Sequence, residues 1–255
     1  ESKHGIAFKA YRDEMNLDSS KWVVGVDYTA APTCATCHMG ATKNQPSSHN
    51  VGDRISWTNR PPISVRPEVM DAKMGLASAD LKWDTRRENM VDVCNSCHSE
   101  DHTEKFYIQY DALIELYNEK YAKPGKALMA AAKPLLKPAK FSNKVEWTWF
   151  ELWHHEGRRA RMAASMQAPD YTHWHGTYDL AKHFYTKMVP ELEHLIEQGS
   201  HSKDADKQKA AKALQAKLDE VLNTDDHKWY LNKMDPKQAA ARKKAAEEFK
   251  ARYSK

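Results

Sequence analysis

The stretch "CNSCHSEDH", residues 94–102, contains two cysteines that are two residues apart, with a histidine directly after the second. The same pattern occurs once before, as "CATCH" at residues 34–38. These two copies contain all four cysteines of the chain. A Cys-x-x-Cys-His pentapeptide presents two thiols for thioether bonds to a porphyrin and an adjacent imidazole for the iron. The repeat therefore predicts two covalently attached hemes c.

In this interpretation the cysteines attach the cofactor and the histidines bind iron as proximal ligands. The attaching cysteines would be Cys34, Cys37, Cys94 and Cys97, and the proximal ligands His38 and His98. Covalent heme attachment takes place outside the cytoplasm, which predicts a periplasmic or equivalent compartment.

Two other uses of the cysteines stay open. A zinc site could take both pairs as its four ligands, but it leaves the repeated histidine unexplained. A thioredoxin-like dithiol needs a strand–helix context, whereas both pairs lie among polar, turn-forming residues.

The composition limits the classes of partner. Hydrophobic residues make up 41% of the 255-residue chain and the mean hydropathy is −0.82, which is low for a compact globule. A bound porphyrin would add apolar core that the sequence lacks. The net charge of +4 comes from basic residues spread along the chain, so nucleic-acid binding is not expected. No apolar run reaches the roughly twenty residues of a membrane span, and none is predicted.

The two ends of the chain differ in pattern. Residues 30–100 are rich in Pro, Gly, Asn and Ser, which predicts turns and short helices. From about residue 103 the apolar residues follow a helical period, and no segment alternates as a strand does. The prediction is a mainly α fold, with a turn-rich diheme-binding portion at 1–102. A bundle of long helices at 103–255 would complete the heme pockets and supply oligomer contacts.

Several helix boundaries can be predicted in the second portion. Pro124 is expected to break a helix, Pro169 to interrupt one, and Pro190 to begin one. One later helix should bury a single stripe, formed by Ala211, Leu214, Leu218 and Leu222.

Four long stretches resemble the C-terminal part of the hydroxylamine oxidoreductase family. They are "WVVGVDYTAAPTCATCHMGATKNQPSSHNVGDRISW", "FYIQYDALIELYNEKY", "HHEGRRARM" and "APDYTHWHGTYDL". That family comprises octaheme c-type cytochromes that oxidise hydroxylamine or hydrazine, or run reductively on nitrite. The resemblance extends through essentially the whole chain. It implies that the two motifs correspond to the last two of eight, and that His4 lies near an earlier heme.

The resemblance also guides the choice of distal iron ligands. His49 follows the first motif in a position that related multiheme cytochromes use for a neighbouring heme, so we predict it for the second heme. For the first heme the candidates lie in two histidine pairs, and at least one member of each pair should bind a heme, in this chain or in a neighbouring one. They are His154 and His155, and His173 and His175, with His175 favoured in the second pair. The alternative for each is a simple hydrogen-bonding role.

Other residues have weaker assignments. Met39 and Met162 could bind iron through sulfur, although packing is the more ordinary role of a methionine. If residues 142–166 form one α-helix, Glu151, His155, Arg158 and Met162 share a face. The arginines that could pair with heme propionates, or else lie on the surface, are Arg158, Arg159 and Arg161. The histidines expected at the surface are His183, His194, His201 and His227, and His102 is too close to its own motif to be a ligand.

Tyr171 has a role that the resemblance alone implies. A tyrosine from this region of the family cross-links to the catalytic heme of an adjacent subunit, and Tyr171 is the matching position, with Tyr178 second. If the segment is α-helical, Tyr171, His175 and Tyr178 share one face. The alternative is that Tyr171 packs on a porphyrin edge.

The predicted function is electron transfer to or from a catalytic heme in nitrogen-compound redox chemistry. The expected partners are a multiheme catalytic subunit or neighbouring copies in a trimer, together with a redox partner cytochrome. No catalytic heme motif lies on this chain, so enzymatic activity is left open. The alternatives are the C-terminal part of a complete octaheme enzyme and, more distantly, a zinc-binding interaction module.

Overall fold

The computed structural model describes residues 3–14, 33–57, 62–65, 67–74 and 82–253. Throughout these ranges the regular secondary structure is helical and no strand occurs, so the predicted mainly α class is confirmed. No helix in the described ranges combines the length and the apolar character that crossing a bilayer requires.

The chain forms thirteen described α-helices, four π-helices and three short 3₁₀ turns. The α-helices of the first half are α1 Lys3–Glu14, α2 Cys34–His38, α3 Pro67–Met74, α4 Trp83–Asn95, α5 Glu100–Tyr117 and α6 Lys123–Ala132. Those of the second half are α7 Lys144–Phe150, α8 Gly157–Ser165, α9 Pro169–Tyr171, α10 Asp179–His183, α11 Val189–Ser200, α12 Ala205–Leu222 and α13 Pro236–Tyr253. The π-helices are π1 Asn118–Ala122, π2 Glu151–Glu156, π3 Thr172–Tyr178 and π4 Phe184–Met188. The 3₁₀ turns are Val51–Arg54, Lys133–Leu135 and Lys228–Leu231.

Local capping explains why the short helix α2 forms. Thr33 precedes the helix in an extended conformation and accepts a hydrogen bond from the backbone N–H of Thr36. The Thr36 side chain in turn accepts from the backbone N–H of Thr33, which completes a capping box. The first motif is thereby wound into a helical turn before any longer-range contact is needed.

Pro124 does not break its helix as predicted. The helical path runs without interruption from α5 through π1 into α6, and Pro124 lies in the first turn after π1. Proline in a helix interior lacks an N–H donor and clashes with the carbonyl four residues earlier. A preceding π-turn is wider than an α-turn and displaces that carbonyl. Pro190 follows π4 in the same way, as the second residue of α11, and the helical path likewise runs through it without interruption.

The chain divides into two compact units. The first consists of residues 1–123 and 148–184, and the second of residues 124–147 and 185–255. The boundary predicted between residues 102 and 103 falls inside α5. The division into a heme-binding portion and a portion that completes the heme pockets stays a prediction.

A buried aromatic and aliphatic cluster organises part of the first unit. Trp57, Tyr110 and Ile114 form its centre, and Phe106 and Ala164 pack against it. Trp57 also donates a hydrogen bond from its indole N–H to Asp111 at 2.6 Å, so its polar atom is satisfied. The cluster joins α5 to the segment that follows the first motif.

In the second unit, α11 packs on α12. The stripe predicted on α12 is confirmed, since all of its members are buried. They are Ala211, Leu214, Leu218 and Leu222. A Cβ added to Gly199 of α11 would lie 2.9 Å from the Cβ of Ala211, so the two helices approach closely through small residues.

Candidate heme-binding site

The first motif presents its thiols and imidazole from one helical turn. Cys34 is an exposed free thiol and Cys37 a partly buried one. His38 ends α2, and its Nδ1 atom is buried without a hydrogen-bond partner. An apolar cleft of about 310 Å³ opens beside the motif. It is lined by Cys34, Ala35, His38, Met39, Val51, Ile55 and Met166.

A buried arginine supports the backbone of this motif. Arg54 is only 4% exposed, and its guanidinium donates to the carbonyl oxygens of Cys37 at 2.9 Å and Gly40 at 2.7 Å. Burial lowers the pKa of His38 below its ordinary value, and the nearby charge of Arg54 lowers it further. The neutral imidazole that iron ligation requires is therefore favoured.

An aspartate on α4 holds the loop that follows the first motif. The Asp92 carboxylate accepts hydrogen bonds from Thr42 Oγ1, from Asn44 Nδ2 and from Gln45 Nε2, the last at 2.6 Å. These bonds lower the pKa of Asp92 below its ordinary value. The loop of the first motif is thereby tied to the helix that leads into the second motif, two residues before Cys94.

The second motif, residues 94–98, continues from the end of α4. The backbone N–H groups of Cys97 and His98 both donate to the carbonyl oxygen of Cys94, at 3.1 and 2.9 Å, which closes a helical turn. The two motifs adjoin, because α2 packs on α4. Burial raises the pKa of Cys94 to about 11, and the neighbouring thiol of Cys37 adds to the rise.

Two histidines approach His98. The ring of His102 stacks on it, with centroids 4.3 Å apart and planes at 16°. The ring of His4, from α1, lies with its centroid 6.0 Å from that of His98 and its plane at 75°. The resemblance suggests a position for His4 near an earlier heme, and the structure places it beside the second motif.

The other predicted distal ligands are more scattered. His49 is exposed, and within the described residues its ring contacts no other ring. His154 is partly buried and stacks on Phe150 with centroids 4.5 Å apart, and its Nδ1 is buried without a hydrogen-bond partner. Burial lowers its pKa, with further contributions from Arg158 and His155. His155 itself is exposed. All three remain candidates for iron ligation.

The α-helical face predicted around His155 is not present. Glu151, His154 and His155 lie in π2, where each hydrogen bond spans five residues in place of four. The π-turn changes the angular relation between these residues and those of α8. Sequence periodicity assumed a regular helix, so it could not anticipate this shift.

Tyr171 is the last residue of α9, and the π-helix π3 follows it directly. Tyr171 is partly buried, and its ring centroid lies 4.8 Å from that of His175, which is exposed. Tyr178, expected on the same face, contacts Trp174 at 5.6 Å. A Cβ on Gly176 would lie 2.6 Å from the Cα of Ala160, so π3 packs directly on the backbone of α8.

Two histidines expected at the surface have polar partners instead, and of the two His227 is buried and His183 half-buried. His183 Nδ1 lies 2.5 Å from Oε1 of Glu156, whose side chain is 6% exposed. His227 is 1% exposed, and its Nδ1 lies 2.8 Å from the hydroxyl of Tyr185. The predictions for His183 and His227 were wrong because their partners are 27 and 42 residues away in sequence. His194 and His201 are exposed as predicted.

The three arginines also differ. Arg161 is fully buried, donates to the carbonyl oxygen of Gly157 at 2.9 Å and to Ser64 Oγ at 2.5 Å, and lies over the ring of Tyr117. Its contacts are those of a core residue. Arg159 is exposed, and Arg158 is partly buried with an unpartnered Nε.

The donor set fits a c-type heme. Each motif offers free thiols and an imidazole from one helical turn, and the first adjoins an apolar cleft. By contrast, the described residues contain no cluster of three or more His, Cys, Asp or Glu side chains that could hold a metal ion by themselves. The zinc alternative therefore finds no geometric support in this part of the chain.

Residues 1–124 match a family of multi-haem cytochromes. Its description is "Seven times multi-haem cytochrome CxxCH", and the match covers just under half of the chain and includes both motifs. The family's CxxCH motif implies covalently bound c-type heme. A comparison with curated proteins finds no match.

A solved structure named "Hypothetical multiheme protein" is similar over 79% of this chain, with a TM-score of 0.60 and 23% identity. This likeness supports the fold. The chain spans about half of that structure, 52% of its length.

Two supporting residues escaped sequence analysis. Arg54 and Asp92 stand 17 residues after Cys37 and two residues before Cys94, respectively, and neither belongs to a recognisable motif. Their roles depend on how the loop after the first motif folds back. The one sequence signal was the length of that loop and its Pro, Ser and Asn residues, which indicate a segment that side-chain contacts must keep in place.

Proposed function

We propose that this chain binds two c-type hemes covalently and transfers electrons between them. The observation that carries the proposal is the packing of α2 on α4, which brings two Cys-x-x-Cys-His turns into one region. Electron exchange between cofactors weakens steeply with distance, so adjoining attachment sites suit a relay. A single-heme carrier would not need this arrangement.

The residues of the two motifs have distinct parts in this proposal. The four thiols hold the porphyrins, and His38 and His98 supply the proximal nitrogens, while the hemes contribute one-electron iron chemistry. Arg54 and Asp92 keep the first motif in place against α4. The protein thus fixes separation and local charge, which are the properties a relay depends on.

We further propose that the relay serves a hydroxylamine oxidoreductase-like assembly outside the cytoplasm. Support comes from the long stretches that resemble that family. In this proposal electrons pass to or from a catalytic heme on a multiheme subunit or a neighbouring copy in a trimer, and a redox partner cytochrome exchanges them with the exterior. The chemistry concerns hydroxylamine, hydrazine or nitrite. Tyr171 is the residue proposed to meet the catalytic heme of another chain.

The test of heme binding is a pyridine hemochrome assay combined with intact mass under denaturing conditions, on full chain exported to the periplasm. We expect a mass equal to the polypeptide plus two hemes. The double variant Cys34→Ser/Cys37→Ser should retain one heme, and Cys94→Ser/Cys97→Ser should retain the other. A colourless wild-type protein that carries no added mass would refute the proposal.

The chain's share of the solved multiheme structure, about half, favours one alternative. In it, the chain is the C-terminal part of a complete octaheme hydroxylamine or hydrazine oxidoreductase. Mass measurement of the protein isolated from its native source distinguishes the two. A subunit with the mass of an octaheme chain supports the enzyme, and a mass of this chain plus two hemes supports the short relay.

A further inference from the structure

We propose that His4 is the distal iron ligand of the heme held by the second motif, opposite His98. The inference rests on the proposed function, since it presumes a heme at residues 94–98. It adds a ligand that neither the motif nor the family match assigns.

The separation of the two rings fits this role. Two imidazoles bound end-on to opposite sides of one metal, each through a nitrogen at about 2 Å, have ring centroids about 6 Å apart. The centroids of His4 and His98 are 6.0 Å apart. Their planes stand at 75°, so the rings meet edge-on and do not stack on each other.

The other ring beside His98 does not fit. His102 stacks face to face on His98, with centroids 4.3 Å apart and planes at 16°. An iron bound in the ring plane of one imidazole cannot lie between two stacked faces. His102 therefore orients the proximal ring, and His4 is the remaining ring neighbour in the described structure.

Helix α1 is placed so that His4 points inward. Of its side chains described at positions 3–7, 9 and 10, that of His4 alone is not exposed. The helix start is anchored, because the backbone N–H of Lys3 donates to the carbonyl oxygen of Gln167 at 3.2 Å and its ammonium pairs with Asp170 at 3.0 Å. Among the described side chains of α1, the half-buried imidazole of His4 is thus the one that meets the His98 ring, at a spacing that suits a shared metal.

The position of the alternative residue supports the same conclusion. His49, predicted for this position from the sequence, is exposed and has no ring contact within the described residues.

The test uses the full-length chain with both hemes attached. In wild type we expect two low-spin ferric hemes by electron paramagnetic resonance and no carbon monoxide binding to the ferrous protein. His4→Ala should convert one heme to high spin and allow one carbon monoxide to bind per chain, and added imidazole should restore the low-spin signal. His194→Ala, which removes an exposed imidazole with no ligand role, is the matched control and should leave both hemes unchanged, and His49→Ala tests the competing ligand.

The outcomes separate the inference from the function beneath it. Wild-type protein without heme would refute the proposed function. Two attached hemes whose spin state is unaffected in His4→Ala would refute the role of His4 alone, and the same change in His49→Ala instead would transfer the role to His49. If His4→Ala does not fold, His4→Met supplies a sulfur ligand. An unaltered low-spin spectrum in that variant would equally overturn the inference.

Discussion

The guanidinium of Arg54 lies 2.9 Å from the carbonyl oxygen of Cys37, so a buried cation is hydrogen-bonded to the residue that precedes His38. A positive charge at this place would favour the reduced form of an iron held by this motif, because that form carries one positive charge fewer. Arg54 thus fixes the backbone of the first motif, and it would also raise the reduction potential of a heme attached there.

Replacing Arg54 with Met should lower the potential of the first heme by on the order of 50 mV, as expected for loss of a unit charge within about 10 Å in a partly solvated protein. Spectroelectrochemical titration measures it. Arg54→Lys keeps the charge and should keep most of the potential. If Arg54→Met carries both hemes with unaltered potentials, the electrostatic role assigned to Arg54 is wrong.

Asp92 should make stability depend on acid pH. Its folded-state pKa is lowered by hydrogen bonds from Thr42, Asn44 and Gln45, so its contribution is complete above the ordinary Asp range. That contribution is lost as the pH falls from about 4 through the lowered pKa. Asp92→Asn should cost about 1–3 kcal/mol at neutral pH because an acceptor is replaced by a donor that faces donors.

Denaturant unfolding of the heme-loaded chain at several pH values checks the prediction for Asp92. The wild type should lose stability on acidification more steeply than Asp92→Asn. Asp101→Asn is a suitable comparison, since Asp101 is exposed in a surface pair with Lys105. Equal effects of the two substitutions at neutral pH would contradict the role given to Asp92.

Gly157→Ala should destabilise the first unit. The added Cβ would lie 2.6 Å from Cζ and 2.7 Å from Oη of Tyr117, whose side chain is buried and whose hydroxyl donates to the carbonyl oxygen of Pro62. Overpacking of this kind costs about 1–3 kcal/mol. Thermal unfolding provides the measurement, with Gly52→Ala as control because its Cβ would meet only Asn50 Oδ1, at 3.2 Å.

His183→Ala should be more costly than His194→Ala, although both histidines lie in the helical run that starts at α9. The first removes a partner of the buried Glu156 carboxylate, which costs about 1–3 kcal/mol. The second changes an exposed side chain and should remain within about 0.5 kcal/mol. Urea titrations of the two variants decide the matter, and similar losses would show that the Glu156 contact contributes little.

The sequence was sufficient where the determining information is local. The cysteine motifs are contiguous, and the α12 stripe repeats at helical spacing, so both could be predicted. It was insufficient where partners come together from distant segments, as for His227 with Tyr185 or Arg54 with Cys37. The contact between His4 and His98 is the hardest to predict, because no sequence pattern near either residue points to the other.

The π-turns explain a different kind of failure. Hydrophobic periodicity assumes about 3.6 residues per turn, and π1 to π4 depart from it. A proline or glycine lies in or just after each of them, but these residues alone do not distinguish a π-turn from a helix end. The helical pattern beyond residue 103 was predicted, whereas α1 and the length of α4 were not, and the faces predicted around His155 and Tyr178 assumed regular α-helix. Ordinary helix rules also misjudged Pro124, whose π-turn neighbour accommodates it.

Helix π2 has a consequence for how this segment tolerates changes in length. A π-turn holds one residue more than an α-turn, so deleting one residue from Glu151–Glu156 would convert π2 into ordinary α-helix. Gly157 and Arg161 of α8 would then still face Tyr117. A deletion inside α8 itself, where each residue advances the chain by about 100° around the axis, would instead change the helical phase of the residues beyond it. The length of the chain is therefore less constrained within these six residues than in the helix that follows them.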